Sequence, residues 1–203
     1  MVQARSKVGL IMSEPILFYT TKGEFGCFTN YSKHPVTVPE LSNKPFISSE
    51  NAYQAFKFHP HRPDLVELIL NSKKPSESGV IGRDPANPMR GDWDKLVSQS
   101  DLAKYESLLP NNHGVIENTK DLMMYVVLYH KFDQHPDIGK VLDGTGEREI
   151  FEDSKIDFYW GVGADGSGKN KLGQMLMLLR RKRARLRMIE FKKQTECWDD
   201  EDF

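Results

Sequence analysis

A glycine-dense segment that runs directly into a long helical pattern constrains this chain more than any other feature. The segment covers residues 157–173 and reads DFYWGVGADGSGKNKLG, with an aspartate and a tryptophan near its start. Glycines let a ligand come close to the backbone, and the free N–H groups at the start of a helix attract anions such as phosphate. The segment therefore predicts a site for a phosphate-bearing ligand in front of the last helix.

Two common phosphate-binding motifs match this segment only in part. Residues 163–170 read G-x-x-x-x-G-K followed by Asn170, where a P-loop needs the Ser or Thr that holds magnesium. Gly161, Gly163 and Gly166 have the spacing of a dinucleotide fingerprint, which needs a following strand with an acidic residue about 20 positions on. Only a helix and a charged tail follow here. A nucleotide triphosphatase and a Rossmann dehydrogenase are therefore both disfavoured.

The rest of the chain predicts a mainly α single domain with a few short β-strands. A length of 203 residues suits one domain. We expect residues 1–15 to form an N-terminal extension, 16–187 the domain and 188–203 a charged tail. Helical patterns occur at 48–58, 64–72, 93–109, 115–132, 137–143 and 170–193. Short aromatic-rich or apolar runs that predict strands or extended loops occur at 16–19, 25–30 and 149–152.

Several of these patterns predict local details. Ser48 is the expected N-cap of the first helix, and Gly144 is the expected left-handed cap of the fifth. The second helix should bury one side made of Leu65, Leu68 and Ile69. Residues 73–90 are rich in Pro, Gly and Ser and predict a loop or a broken helix. The last helix should face the core with Leu172, Met175, Leu176 and Leu179.

Cysteine and histidine usage disfavours a disulfide framework and a metal site. The two cysteines, Cys27 and Cys197, lie near opposite ends of the chain. His59 and His61 have no further ligand partner at a suitable spacing, so we expect no metal and no other cofactor. The start of the chain lacks the pattern of a signal peptide, and no apolar run reaches about 18 residues. We therefore expect an intracellular, cytoplasmic protein without a membrane span.

A strongly basic run near the C-terminus has two interpretations. Residues 180–193 contain eight Lys or Arg and one Glu, and the acidic residues 196–202 follow. The run is consistent with contact to nucleic acid or with nuclear transport. The interpretation we favour is a solvated helix face with an acidic, self-neutralising tail.

Three polar residues of the first predicted helix share one face. Glu50, Gln54 and Lys57 stand at i, i+4 and i+7, beside an apolar face that includes Tyr53. A carboxylate and an amine above an aromatic floor suit acid–base chemistry on a nucleoside or a sugar. The alternative, which spacing alone favours, is an exposed face whose charges are too far apart to touch. The helix dipole should keep Glu50 ionised near the N-terminus.

Other residues each allow a binding role and a structural one. Trp93 and Trp160 are suited to stack on a base, or to pack in the core. Asp157 is suited to accept a hydrogen bond from a ribose hydroxyl, or to cap a turn. Asn170 is suited to bind the ligand, to cap the last helix, or both.

A series of short motifs occurs in a fixed order along the chain and resembles the NADAR family, also called YbiA-like. The resemblance covers roughly residues 17–181, and it departs from the usual pattern at Asn51, where His is common, and at 79–81. The motifs are Phe18-Tyr19, FTNYS at 28–32, SENAYQAFK at 49–57, Gly82-Arg83, Trp93, Lys131-Phe132, LDGTG at 142–146, DFYWGVG at 157–163 and GKNKLGQMLMLLR at 168–180.

The resemblance implies a mainly helical fold and N-glycosidase activity. Some members remove ADP-ribose from the amino group of guanine, and others hydrolyse early intermediates of the riboflavin pathway. We expect the first activity, with ADP-ribosylated guanine in DNA, RNA or a free nucleotide as the partner. The second activity is an alternative, as is a protein that binds ADP-ribose or NAD without turnover.

The resemblance also implies roles for individual residues. Glu50 would manage protons or activate water, and Lys57 would act as an electrostatic partner or a nucleophile. Trp93 and Trp160 would hold the base, while Asp157 would fix ribose hydroxyls. Arg83, Asn170 and the glycine backbone would hold phosphate. The complete set of other residues expected to bind the substrate is Asn30, Tyr53, Arg83, Gly161, Gly163 and Asn170.

Overall fold

Helices are the main regular structure of the computed structural model, which describes residues 14–196. This confirms the prediction of a mainly helical single domain with short strands. A short 3-10 helix, Gly26–Phe28, is the other regular element. In chain order the elements are β1 (Ile16–Phe18), α1 (Ser49–Phe56), α2 (Pro63–Leu70), α3 (Pro75–Ile81), α4 (Gln99–Lys104), α5 (Thr119–Gln134), α6 (Pro136–Gly144), β2 (Ile150–Glu152) and α7 (Lys171–Glu196).

The long helix α5 lies at the centre of the core. Residues 122–128 are all buried, so the helix is covered on every side. A helix that is apolar all round belongs in the interior of a protein. Helices α1, α6 and α7 pack against it. The α7 positions predicted to face inward, Leu172, Met175, Leu176 and Leu179, are buried.

The two strands form a small parallel sheet. Ile16 pairs with Ile150, and Phe18 pairs with Glu152. The predicted runs at 16–19 and 149–152 are therefore strands, although the sequence did not show that they pair. Because parallel strands point the same way, the carboxyl ends of β1 and β2 meet at one edge. Helix α7 packs against β2 and supports this edge.

One helix prediction was wrong in extent, and a segment predicted as a loop or a broken helix contains a short helix. The pattern at 93–109 becomes helical only in α4. Its first part forms a turn at residues 93–94, followed by a bridge from Leu96 to Asn118, and the carbonyl of Trp93 accepts from the N–H of Lys120 at 3.1 Å. Residues 73–90, predicted as a loop or a broken helix, contain the short helix α3, which begins with Pro75 at its first position and ends before Gly82.

Three local predictions were also wrong. Leu68 is exposed, because Val66 joins Leu65 and Ile69 on the buried side of α2 and shifts the centre of that side. The run at 25–30 contains the 3-10 helix Gly26–Phe28 in place of the predicted strand or extended loop. Gly144 is the last helical residue of α6, and the left-handed conformation occurs later, at Gly146 with φ of 58°.

Part of the basic run is built into the fold. Arg180 donates to Thr145 Oγ1 at 2.6 Å, and Lys182 donates to the carbonyls of residues 107 and 109. Arg183 pairs with Asp143 at 3.0 Å. These side chains are neither a solvated face nor free for nucleic acid, and they leave the nuclear hypothesis without support. From Arg185 to Thr195 the side chains are exposed.

No helix between residues 14 and 196 is long and apolar enough to cross a bilayer. Cys197, the acidic residues after Glu196 and most of the predicted N-terminal extension lie outside the described residues.

Candidate active site

A cavity of about 830 Å³ opens between α1, α5 and the connection from β2 to α7. Cavities of about 300–1,000 Å³ are typical of small-molecule sites, so this one has room for a nucleotide-sized ligand. It brings together most of the residues that the sequence analysis singled out. Those that line it are Asn30, Glu50, Tyr53, Lys57, Arg83, Trp93, Asp157 and Trp160.

Helix α1 presents the predicted polar face to this cavity. Ser48 caps the helix as expected, since its side chain accepts from the N–H of Asn51 at 3.3 Å. One turn further on, Gln54 Nε2 donates to Glu50 Oε1 at 2.9 Å. Glu50, Gln54 and Lys57 all line the cavity, so the shared face predicted from spacing is not an exposed one.

Burial controls the charge of Glu50. Its exposed fraction is 8%, and this burial raises the pKa of the carboxyl group. The hydrogen bond from Gln54 and the charges of Lys57 and Arg83 act in the opposite direction but do not outweigh burial. Burial therefore opposes the helix dipole, which was expected to keep Glu50 ionised. A carboxylate with a raised pKa is a stronger base than an exposed one.

Lys57 is affected in the complementary way. Burial lowers the pKa of its amine, while Glu50 raises it again in part. Nζ donates to the carbonyl of Gly82 at 3.1 Å. Among the ion pairs of residues 14–196, none joins Lys57 to Glu50. The two groups thus share the cavity without neutralising each other directly, and the neutral amine forms more readily than in an exposed lysine.

Three aromatic rings form one wall of the cavity. The Tyr53 ring lies 5.2 Å from Trp93 and 5.5 Å from Trp160, measured between ring centroids. Trp93 has an exposed fraction of only 4%, so most of its surface packs in the core. Trp160 is half-buried and offers more surface to a ligand. Both tryptophans therefore line the cavity, but they do so to different extents.

The glycine-dense segment does not form a phosphate cradle at the start of α7. The N–H of Lys171 donates to the carbonyl of Tyr159, and that of Leu172 donates to Trp160, both at 3.0 Å. These first-turn donors are therefore not free for an anion. Gly161 and Gly163 do not line the cavity. A Cβ on Gly161 would lie 2.8 Å from the Glu152 carbonyl oxygen, and one on Gly163 would overlap the Phe158 ring.

Asn170 has a structural role in place of the predicted contact with phosphate. Its Nδ2 donates to the Ile150 carbonyl at 2.9 Å, and its Oδ1 accepts from the N–H of Glu152 at 3.0 Å. The residue has φ of 51° and joins the start of α7 to strand β2. Both ends of its amide are thus occupied, and the side chain lies outside the cavity.

Asp157 caps a turn and also lies at the cavity, so its position suits both roles expected from the sequence. Its Oδ1 accepts from the N–H groups of Tyr159 at 2.8 Å and Trp160 at 2.7 Å, which caps a turn. The residue also lines the cavity. The cap holds the backbone of Trp160 in place beside the carboxylate.

The cavity contains a second glutamate, Glu152, which no sequence motif indicated. It is the last residue of β2 and lines the cavity together with Glu50 and Asp157. Burial, reinforced by the negative charges of those two residues, raises the pKa of Glu152 to about 7. Its position depends on the pairing of β1 with β2, which no local pattern of the sequence reveals.

Comparison with known proteins agrees with this geometry. The NADAR domain family matches residues 17–184. The N-glycosidase YbiA of Escherichia coli (strain K12) is 30% identical over 171 residues, which cover 84% of this chain and 89% of that protein. An N-glycosidase of Nostoc punctiforme is 30% identical over 166 residues, covering 81% and 90%.

A plant relative and a solved structure extend the comparison. The riboflavin biosynthesis protein PYRR of Zea mays is 32% identical over 175 residues, which cover 81% of this chain and 24% of that protein. The NMR structure of E. coli YbiA has a TM-score of 0.68 at 28% identity and covers 88% of this chain and 90% of that one. This chain belongs to the NADAR family and is a hydrolase that acts on N-glycosyl bonds.

Proposed function

We propose that the protein removes ADP-ribose from the amino group of guanine in nucleic acid or a nucleotide. The observation that carries this proposal is the shared cavity of Glu50 and Lys57, walled by Trp160. An acid and an amine that do not neutralise each other are the groups that scission of a sugar–nitrogen bond needs. The aromatic wall suits a flat base, and the volume suits a dinucleotide-like ligand.

In this mechanism the bond between the ribose anomeric carbon and an amine nitrogen breaks. Glu50 removes a proton from the attacking water, as carboxylates do in glycoside hydrolysis. Lys57 stabilises the negative charge of Glu50 or, as a neutral amine, attacks the sugar carbon itself. Asp157 accepts from ribose hydroxyls.

Cationic side chains of the cavity, rather than the glycine segment, are suited to bind the phosphate groups. Three cationic residues line the cavity, and they are Lys57, Arg83 and Lys120. Arg83 is exposed at the edge of the cavity, while Lys120 is held by Asp94 at 2.7 Å. A guanidinium group binds phosphate oxygens in pairs, so Arg83 is the preferred partner of the diphosphate.

A second candidate substrate is a phosphorylated intermediate of riboflavin synthesis. The name of the Zea mays relative favours it. Such a substrate is also an N-glycoside, and the same acid and amine would serve its hydrolysis. It is smaller than an ADP-ribosylated nucleotide, so it would fill less of the cavity.

Parallel turnover assays separate these candidates. The protein is incubated with a guanine-ADP-ribosylated oligonucleotide, with the riboflavin intermediate and with NAD, and the released products are quantified. We expect the first to be consumed fastest, and Glu50→Gln or Lys57→Ala to slow that reaction by at least about 100-fold. Lys140→Ala is the matched control, because Lys140 is exposed on α6 and does not line the cavity. Full activity in both cavity variants would refute the assignment.

Reduction with borohydride during turnover separates the two roles of Lys57. A Schiff base between its amine and the opened ribose would be trapped as a stable adduct that is absent in Lys57→Ala. If Lys57 is only an electrostatic partner, no adduct forms although the variant is slow.

A further inference from the structure

The backbone of Glu152 is held rigidly at the wall of the cavity. Its N–H donates to Asn170 Oδ1 at 3.0 Å, and its carbonyl accepts from the N–H of Val162 at 2.9 Å. The strand pairing with Phe18 fixes the backbone as well. The side chain of Glu152 lines the cavity that Glu50 also lines.

The surroundings of the two glutamates differ in kind. Glu152 Oε2 is buried and has no hydrogen-bond partner among residues 14–196. The charged groups that act most on Glu152 are Asp157, from the β2–α7 connection, and Glu50, from α1, and both are negative. Glu50 by contrast accepts from Gln54 at 2.9 Å and shares the cavity with the cations Lys57 and Arg83.

This contrast separates the protonation states of the two acids. An ionised carboxylate that is buried without a donor or a cation is strongly disfavoured, whereas the neutral acid is not. Two carboxyl groups in one site whose environments differ in this way commonly divide into an acid and a base. The burial that raises the pKa of Glu152 to about 7 agrees with the same assignment.

We propose that Glu152 is a second catalytic residue, the general acid that gives a proton to the leaving nitrogen. The proposal rests on the N-glycosyl hydrolysis performed in this cavity and on Glu50 as the base, but not on the identity of the base that leaves. Glu50 then takes a proton from the attacking water, and Glu152 gives a proton to the departing nitrogen.

Each proton that moves in this step has a donor and an acceptor. The bond between the anomeric carbon and nitrogen breaks, and its electron pair goes to nitrogen, which takes the proton of Glu152. The hydroxyl of water bonds to the carbon, and the remaining proton of that water goes to Glu50. Transfer of one proton from Glu50 to Glu152, directly or through solvent, restores the starting state.

The test uses two substrates that differ in their need for a proton. One is the N-glycoside that the protein hydrolyses, and the other carries a 4-nitrophenoxy group on the anomeric carbon of the same sugar, which leaves as nitrophenolate without protonation. We expect Glu152→Gln to lower kcat on the N-glycoside by at least about 100-fold and to leave the nitrophenyl substrate within a few-fold of wild type. Glu50→Gln, which removes the base, should slow both.

A pH profile supplies a second readout. A general acid must be protonated to act, so kcat of the wild type on the N-glycoside should fall as the pH rises through about 7. Glu152→Asp keeps a titrating acid and should keep such a fall at a lower rate, whereas the residual activity of Glu152→Gln should lack it.

The matched control is Glu40→Gln. Glu40 also has a buried Oε2 without a hydrogen-bond partner among the described residues, but it does not line the cavity. Its variant should keep the wild-type kcat on both substrates. The proposal is overturned if Glu152→Gln hydrolyses the N-glycoside at the wild-type rate. It is equally overturned if that variant loses both substrates to the same extent, since that indicates a structural role. Failure to act on ADP-ribosylated guanine would overturn only the proposed substrate.

Discussion

Burial sets the charge of individual residues in and around this site. It raises the pKa of Glu50 and Glu152 and lowers the pKa of Lys57 because the charged form of each group loses its hydration. Helical spacing was sufficient to predict that Glu50 and Lys57 share a face. It carried no information on how deeply that face is buried, so the effect of burial on the pKa of Glu50 was not predicted.

Lys131 allows a test of the same effect outside the cavity. Its exposed fraction is 0%, and its Nζ donates to the carbonyls of Cys27 at 2.6 Å and Thr29 at 2.9 Å. Burial lowers the pKa of its amine from 10.5 to about 7. Between these values the unfolded chain binds a proton that the folded protein does not, so folding is favoured increasingly as the pH rises.

We therefore expect the free energy of unfolding of the wild type to rise with pH relative to that of Lys131→Met. The expected rise is about 1.4 kcal/mol per pH unit from about pH 7 to about pH 9. Urea unfolding of both proteins across this range measures it, and a Cys27→Ser background removes the nearby thiol from the comparison. A difference that does not change with pH would mean that the folded protein keeps Lys131 charged.

The β2–α7 connection shows what a local sequence pattern can and cannot reveal about an element. The density of glycines was interpreted as space for a phosphate-bearing ligand beside the backbone, but another part of the protein fills that space. That part is the connection itself, since the carbonyl of Glu152 lies beside Gly161 and the ring of Phe158 lies beside Gly163. Glycines in a sequence show where side chains are absent, but the three-dimensional path of the chain decides whether a ligand or another part of the protein fills the space.

Gly163 and Gly166 form a matched pair that tests this interpretation. Both have positive φ, at 73° and 78°, but a Cβ would overlap the Phe158 ring only at Gly163 and would meet open space at Gly166. Gly166→Ala should lower the free energy of unfolding by about 1–2 kcal/mol, which is the strain of the left-handed conformation. Gly163→Ala should lower it further and should slow turnover, because the same connection carries Asp157 and Trp160. If the two variants lose the same stability and the same turnover, the interpretation that the connection packs against itself at Gly163 is contradicted.

Helices with a long apolar period were predicted well, and elements held by distant contacts were not. Helices α1, α5 and α7 have strong patterns, and Ser48 supplies a clear start signal for α1. The segment before α4 also contains helix formers, but it forms a turn and a bridge from Leu96 to Asn118 instead. Such tertiary pairing overrides local propensity, and it lies beyond what a window of sequence contains.

At the scale of the whole molecule, the cavity combines segments that are far apart in the chain. Asn30, Arg83 and Trp160 line it together with α1, and no spacing rule joins these positions. The ordered series of motifs resembling the NADAR family predicted that they meet. It also included Asn170 among the binding residues, although its amide is used to join α7 to β2. An ordered motif therefore identifies important residues without separating binding from support.

The basic run on α7 divides into an anchored part and an exposed part, which have different expected functions. Lys182 donates to the carbonyls of Ser107 at 2.7 Å and Leu109 at 3.0 Å. Lys182→Met removes both bonds and leaves two acceptors without a donor, so we expect a loss of about 1–3 kcal/mol in the free energy of unfolding. Urea unfolding measures this loss, and an unchanged midpoint would show that the anchors do not stabilise the fold.

Removal of residues 188–203 tests the exposed part. The described side chains of this stretch, residues 188–195, are exposed, so we expect the free energy of unfolding to change by no more than about 0.5 kcal/mol. If the run has no part in substrate binding, kcat/KM should stay at its wild-type value for an ADP-ribosylated oligonucleotide and for the corresponding free nucleotide. Contact with nucleic acid would instead lower kcat/KM for the oligonucleotide alone, and the loss would shrink as salt is added, because phosphate contacts are screened by ions. A loss on both substrates would place the exposed part of α7 in the reaction itself, which its position outside the cavity argues against.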